Sequence, residues 1–261
     1  MSKYFITALL LVAFINNVHA QFGISHEIGI VMGPTNFKSD YGESGDIRSA
    51  IGNIGYGVGF VHYLNFSDVH NSSVTIFQSY LKDHFKLRSE ISYQAVTFQH
   101  YGKYVSDDKQ STFAKQLRAM RGSTEITNLG MQIEYYPLSI EDFGNMPNSF
   151  TPYISVGGQY SFYKPEIYST LGKLNTSLTT PEKYSNGALS NEDDTVWSIV
   201  GSVGARYKLN TVSDLMLDLR AQYYFSDYVD GMRPDPIIYT ENKSNDWNIW
   251  FTVGYIFYLG Y

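Results

Sequence analysis

From Phe22 onward the chain alternates, position by position, between bulky apolar side chains and small or polar ones. Successive side chains of an extended strand point to opposite faces, so a period of two specifies strands with two chemically different sides. In the first segment Phe22, Ile24, His26, Ile28, Ile30 and Met32 share one face, and Gly23, Ser25, Glu27, Gly29, Val31 and Gly33 share the other. The second sets Ile54, Tyr56, Val58, Phe60, His62 and Leu64 against Gly55, Gly57, Gly59, Val61 and Tyr63. The pattern recurs over Phe85 to Tyr101, Glu125 to Leu138, Phe150 to Tyr163, Thr195 to Leu209, Leu215 to Phe225 and Trp247 to Tyr261.

These are eight segments, an even number, each near the roughly 10 residues that cross a bilayer as a tilted strand. A soluble β-sandwich also alternates, but it buries its bulky face, whereas a membrane barrel turns that face to lipid and keeps small and ionised side chains inside. Here the less bulky face carries Glu27, Arg88, Glu90, Glu134, Arg206, Asp218 and Arg220. Aromatics stand near strand ends, among them Tyr56, Phe66, Tyr135, Trp197, Tyr207, Tyr223 and Trp247, as they do in interfacial girdles. The expected fold is all-β, an eight-stranded antiparallel up-and-down transmembrane β-barrel of the OmpA-like kind, in the cell outer membrane.

A closed barrel also accounts for the hydrophobic end of the chain. The last strand must pair with the first, because an open edge in hydrocarbon leaves backbone groups unsatisfied at several kcal/mol each. Tyr255, Phe257, Leu259 and the terminal Tyr261 resemble the C-terminal insertion signal of bacterial outer-membrane proteins. Outer-membrane lipid and, during insertion, the barrel assembly machinery are therefore expected partners.

At the other end, residues 1–20 read as a signal peptide: Lys3, an apolar run to Ile15, then Val18-His19-Ala20 with small residues where a signal peptidase reads. The barrel domain is expected to occupy residues 21–261. A net charge of -6 makes nucleic acid a poor partner, because such binding begins with neutralising phosphates. Cysteine is absent, which removes disulfides, thiolate nucleophiles and thiolate-bound metals.

With both termini periplasmic, Pro34 to Gly52, Gly102 to Gly122, Lys164 to Asp194 and Ser226 to Ser244 become long, polar outer loops. Ser111 to Arg121 has helical spacing at Phe113, Leu117 and Met120, and a helix covering the mouth is expected there. Of the inner connections, Asn210 to Asp214 is tight and Ser139 to Ser149 moderate. Ser67 to His84 is longer than a periplasmic turn requires, and Val74, Phe77 and Leu81 allow helical turns, which makes it a candidate contact surface.

No constellation for catalysis emerges. Gly55-Tyr56-Gly57-Val58-Gly59 lacks the helix and acidic residue that make a nucleotide loop, and small lumen-facing residues explain it better. His26, His62, His70, His84 and His100 have no metal-ligand spacing. Glu192-Asp193-Asp194, or Asp40 with Glu43 and Asp46, could gather a cation, but solvated loop charge is the simpler reading. No cofactor is expected. Lumen ions must be paired, and eight strands leave an interior just filled by side chains, so the seven charges read as a plug instead of a channel.

Glu27-Ile28-Gly29, Phe150-Thr151-Pro152-Tyr153, Gly201 to Leu209 (GSVGARYKL) and Phe225-Ser226-Asp227-Tyr228 resemble, in order and spacing, the PorG-type small outer-membrane barrels. The resemblance covers most of the chain after residue 20 and departs in the long Ser67 to His84 connection. It implies an accessory of the type IX secretion machinery that contacts periplasmic secretion-ring proteins, with no catalytic residues to carry over. The leading expectation is thus a non-enzymatic anchor or scaffold of a secretion assembly. The alternative is an OmpA-like surface or envelope-integrity barrel whose outer loops bind ligands or lipopolysaccharide.

Overall fold

The computed structural model describes residues 25–42, 47–66, 76–185, 187–235, 237–239 and 244–259. Eight strands follow one another around a closed barrel: β1 Ser25–Lys38, β2 Ile54–Asn65, β3 Phe85–Gln99, β4 Met120–Tyr135, β5 Phe150–Ser169, β6 Asp194–Asn210, β7 Ser213–Tyr224 and β8 Trp247–Leu259. Every neighbouring pair is antiparallel, and β8 closes on β1 from His26 opposite Leu259 to Lys38 opposite Trp247. The residues proposed as a signal peptide lie outside the described residues, as do Phe22, Val74 and Tyr261.

Side-chain direction follows the alternation. Ile30, Met32, Phe60, Ile91, Leu129, Ile133, Val203, Leu217 and Val253 are exposed on the outer wall, with Leu217 at 50% and Val253 at 45%. Their immediate neighbours face in: Val31, Val61, Glu90, Gln132, Met216, Asp218 and Thr252 are buried. Aromatics form a belt at each rim. Tyr56, Trp197 and Tyr223 lie near the strand ends that meet the long loops, and Phe66, Tyr135 and Tyr207 lie at the opposite ends.

Three strands run at least five residues past their sequence-derived bounds. β1 does not stop at Gly33 but continues through Pro34 to Lys38, because proline is tolerated where the ladder does not need its N–H. Pro34 still faces Tyr56 of β2, while the pairing with β8 lapses between Met32 and Thr35. There the Trp250 indole N–H donates to the Gly33 carbonyl at 3.1 Å, a side chain satisfying a backbone group where the ladder is interrupted. β5 continues past Tyr163 to Ser169, and β4 begins at Met120.

The expected helix in the second outer loop is present as α3, Thr112–Ala119, following α1 Ile47–Gly52 and α2 Ile76–His84; Met120 and Arg121 already belong to β4. Ser111 caps α3 by accepting the Ala114 N–H at 3.2 Å. On the inner side α4, Ile140–Asn145, lies in the moderate connection and buries Ile140 and Phe143. Among the described residues no helix is long and apolar enough to cross a membrane.

Candidate functional site

The seven predicted lumen charges come together across the barrel. Glu27 on β1 accepts Lys86 Nζ of β3 at 2.6 Å and Arg206 Nη1 of β6 at 2.5 Å. One turn of side chains further out, Glu90 of β3 receives Arg220 of β7 through both terminal nitrogens and Arg88 Nη2 at 2.6 Å. Arg88 also lies 3.4 Å from Glu134 and 3.6 Å from Asp218, and Arg220 lies 3.4 Å from Asp218. Three residues outside that sequence-derived set complete the arrangement. Lys86 and Lys208 stand on the less bulky face, and Asp214, assigned to a turn, is instead buried in β7 within 3.5 Å of Arg206 and 3.6 Å of Lys208. Among the described residues the barrel interior thus balances five acids, Glu27, Glu90, Glu134, Asp214 and Asp218, against five bases, Lys86, Arg88, Arg206, Lys208 and Arg220. Buried charges survive in such groups because each desolvated ion lies against one of opposite sign.

Phenols finish the carboxylates. Tyr136 donates to Glu134, Tyr153 to Asp218 and Tyr258 to Asp214. Ring faces cover the cations: Tyr63 lies 4.1 Å from the Arg206 guanidinium and Trp250 lies 5.1 Å from that of Arg220. Gly57 makes room for that indole, since a Cβ at Gly57 would stand 2.8 Å from Trp250 Cε2. The Gly-Tyr-Gly-Val-Gly run is therefore lumen packing.

Outward of the ions lies a neutral layer. Asn248 links Thr35 to Gln94, and Gln222 donates to Asn128 and Ser198. Above it Phe37, Phe98, Ile126, Tyr163, Tyr224 and Met232 form an apolar cap. At the inner end Phe143 of α4 lies under Lys208. The lumen is filled along the described strands, and its ions are sealed from both sides.

Above the cap the four long loops enclose a cavity of about 760 Å³. The first loop gives it Asp40 and Gly42, the second His100, Tyr101 and Tyr104 with Phe113 of α3, the third Glu182 to Tyr184, and the fourth Tyr239 and Asn245 to Trp247. Burial pulls His100 down to about 3, with Lys183 and Arg121 adding to the effect, and its neutral Nδ1 accepts the Gly42 N–H at 3.1 Å. Gly42 itself has φ 90, a left-handed turn that favours glycine. Arg118 holds the second loop by donating to the carbonyls of Ser106 and Lys109.

The first and fourth loops are tied by carboxyls. Asp230 accepts the Asp40 N–H at 2.8 Å and donates its own N–H to Asp246 at 3.2 Å. Burial, and then the neighbouring Asp40, pushes Asp227 up to about 7 and Asp230 well above the carboxylate range. Asp246 is raised in the same way by burial and Asp230. Glu43 and Asp46 lie outside the described residues, and among those described no group of three or more His, Asp or Glu is placed to hold a metal.

The inner side carries a smaller feature. Asp83 of α2 accepts Ser139 Oγ at 2.9 Å and the Glu141 N–H at 3.0 Å, binding α2 to α4. Tyr80 is within 3.0 Å of the Tyr135 hydroxyl, and Tyr80, Leu81, Leu138 and Met146 are exposed.

A closed antiparallel barrel with an apolar exterior and an ion-paired interior is matched to surrounding hydrocarbon. The protein is an outer-membrane β-barrel. No protein-family profile and no curated protein matches the chain. Among solved structures it is similar to a major outer membrane protein from Thermus thermophilus, at 10% identity over 90% of this chain and 99% of that one, TM-score 0.48. It is also similar to Neisserial surface protein A, at 10% identity over 90% and 96%, TM-score 0.41. Ail, the attachment invasion locus protein of Yersinia pestis, has 10% identity over 90% and 97%, TM-score 0.39. The architecture itself is read from the chain's own closed strand ladder.

Proposed function

We propose that this protein is a non-enzymatic surface barrel that binds a ligand through its outer loops. The observation that carries this reading is the composite cavity above the sealed lumen, to which all four long loops contribute. A barrel filled along its length has no conduit to offer, so its recognition surfaces are its two ends. The outer end is concave, aromatic and held by buried contacts between loops, as binding pockets are.

A second reading, an anchor in a type IX secretion assembly of the PorG type, is favoured by the ledge that α2 and α4 form on the periplasmic side. Its exposed Tyr80 and Leu81 suit contact with periplasmic secretion-ring proteins. A photo-crosslinking residue placed at Tyr104 or at Tyr80 in living cells separates the two. The surface reading expects adducts at Tyr104 and intact secretion after gene deletion. Adducts confined to Tyr80, with secretion lost on deletion, would replace it with the anchor.

A further inference from the structure

We infer that the outer cavity is an oligosaccharide-binding site, an inference that rests on the surface-binding reading and names its ligand class. A sugar presents two kinds of surface: a patch of C–H bonds that lies against an aromatic ring, and hydroxyls that need donors and acceptors around the rim. The walls supply both. Tyr101, Tyr104, Phe113, Tyr239 and Trp247 are partly or well exposed rings contributed by the second and fourth loops and the start of β8. The same walls carry the Glu182 carboxylate, the Asn245 amide and the Lys38 and Lys183 ammonium groups.

The alternatives fit less well. A lipid tail requires a continuous apolar wall, and here charged and amide side chains share the walls with the rings. A compact anion requires converging cations free to meet it, but Lys38 sits 5.2 Å over Trp247, Lys183 sits 5.4 Å over Tyr239 and 5.7 Å over Tyr184, and carboxylates share the walls. A volume of about 760 Å³ lies inside the roughly 300–1,000 Å³ of small-ligand sites and gives room for several linked sugar rings.

The floor is closed by buried Tyr184, His100 and Leu117, so a bound chain rests on the cap and does not enter the lumen. The first loop is already tied to the fourth by the Asp40–Asp230 hydrogen bond and to the second by the Gly42–His100 hydrogen bond, and Arg118 clamps the second loop internally, so little ordering remains to oppose binding. The same sugar chemistry could reach the site from the lipopolysaccharide of the cell's own outer leaflet or from polysaccharide outside the cell.

The full-length protein, folded in lipid nanodiscs, is applied to an array of bacterial, plant and animal glycans that includes purified O-antigen and core oligosaccharides of the native cell. Saturable binding to one glycan class is expected, weakened at least tenfold by Tyr104→Ala and by Phe113→Ala and unchanged by Tyr80→Ala at the other end. Retention on the O-antigen or core spots assigns the cell's own lipopolysaccharide; retention on the others assigns an external source. Binding to no glycan, or binding indifferent to both ring variants, would overturn the inference. The surface reading is tested apart from it through the adduct at Tyr104: an adduct that resists periodate and yields to protease removes the sugar and keeps the surface role, whereas absence of any outer adduct removes both.

Discussion

The Glu90 carboxylate takes Arg220 in a two-pronged grip, Nη1 on Oε1 at 2.5 Å and Nη2 on Oε2 at 2.8 Å. Glu90 belongs to β3 and Arg220 to β7, so the pair ties together strands that share no backbone ladder. Such forked pairs fix geometry as well as charge. Arg88, on the same strand as Glu90, shares the carboxylate and extends the tie to Glu134 and Asp218.

Removing one member of this group leaves its partners buried and uncompensated. Glu90→Gln is expected to destabilise the folded barrel by about 3–5 kcal/mol. Arg220→Met should cost a similar amount, and the double variant much less than the sum, because it removes both sides of the grip. Urea unfolding in vesicles, read by the gel shift between folded and unfolded barrel, measures this. Additivity within about 0.5 kcal/mol would mean that the two residues are not coupled.

Gly57 offers a packing test that leaves charge untouched. A Cβ there would stand 2.8 Å from the Trp250 ring and 3.0 Å from Gln94 Cγ. Gly57→Val must displace the indole from Arg220 or from the Gly33 carbonyl, and a loss of about 1–3 kcal/mol is expected. Near-ultraviolet circular dichroism of the tryptophan region should change with it. An unchanged spectrum and unfolding midpoint would show that the lumen has slack at this point.

The carboxyls of the outer cap give a pH dependence with a definite sign. Asp227, Asp230 and Asp246 have folded pKa values raised above the unfolded value of 3.8. Their contribution to cap stability is therefore full below about pH 4, where both folded and unfolded forms hold the protons. It is lost as pH rises through about 7, where Asp227 ionises, and falls further as Asp230 and Asp246 follow. Asp40 lies on the same cluster as a further acid, and Arg233 is the cation that faces Asp227. Hydrogen exchange at the Met232 amide, which donates to Asp230 at 2.7 Å, should show protection that falls from pH 5 to pH 8.5 after correction for intrinsic rates. Asp246→Asn should flatten that slope. Protection independent of pH in the native protein would contradict it.

The barrel was legible in the sequence because a period of two fixes which face each side chain takes before any register is known. That is why Glu27 and Arg206, 179 residues apart, could be assigned to one interior, although nothing in the sequence pairs them with each other. Asp214 was hidden because it opens β7 directly after a tight turn, where an acid reads as solvated. β1 read as ending at Gly33, before Pro34, because the proline signal is local, whereas the lapse in pairing with β8 and the Trp250 hydrogen bond that accommodate it are tertiary. Of the outer cavity only its four long loops and the helix over the mouth were legible. Outside that helix the wall segments have no periodicity, and their convergence is set by the strands beneath them.

Adjacent positions on β8 test the direction of the two faces most directly. Trp250 is fully buried in the lumen, and Phe251 is 44% exposed on the outer wall. Two variants are reconstituted in vesicles whose acyl chains carry bromine, both with Trp197→Phe and Trp247→Phe; one keeps Trp250, and the other combines Trp250→Phe with Phe251→Trp. Strong fluorescence quenching of the indole at position 251 and little at position 250 is the expected result. Equal quenching at the two positions, or stronger quenching at 250, would contradict a barrel that turns its apolar face to lipid and its ions inward.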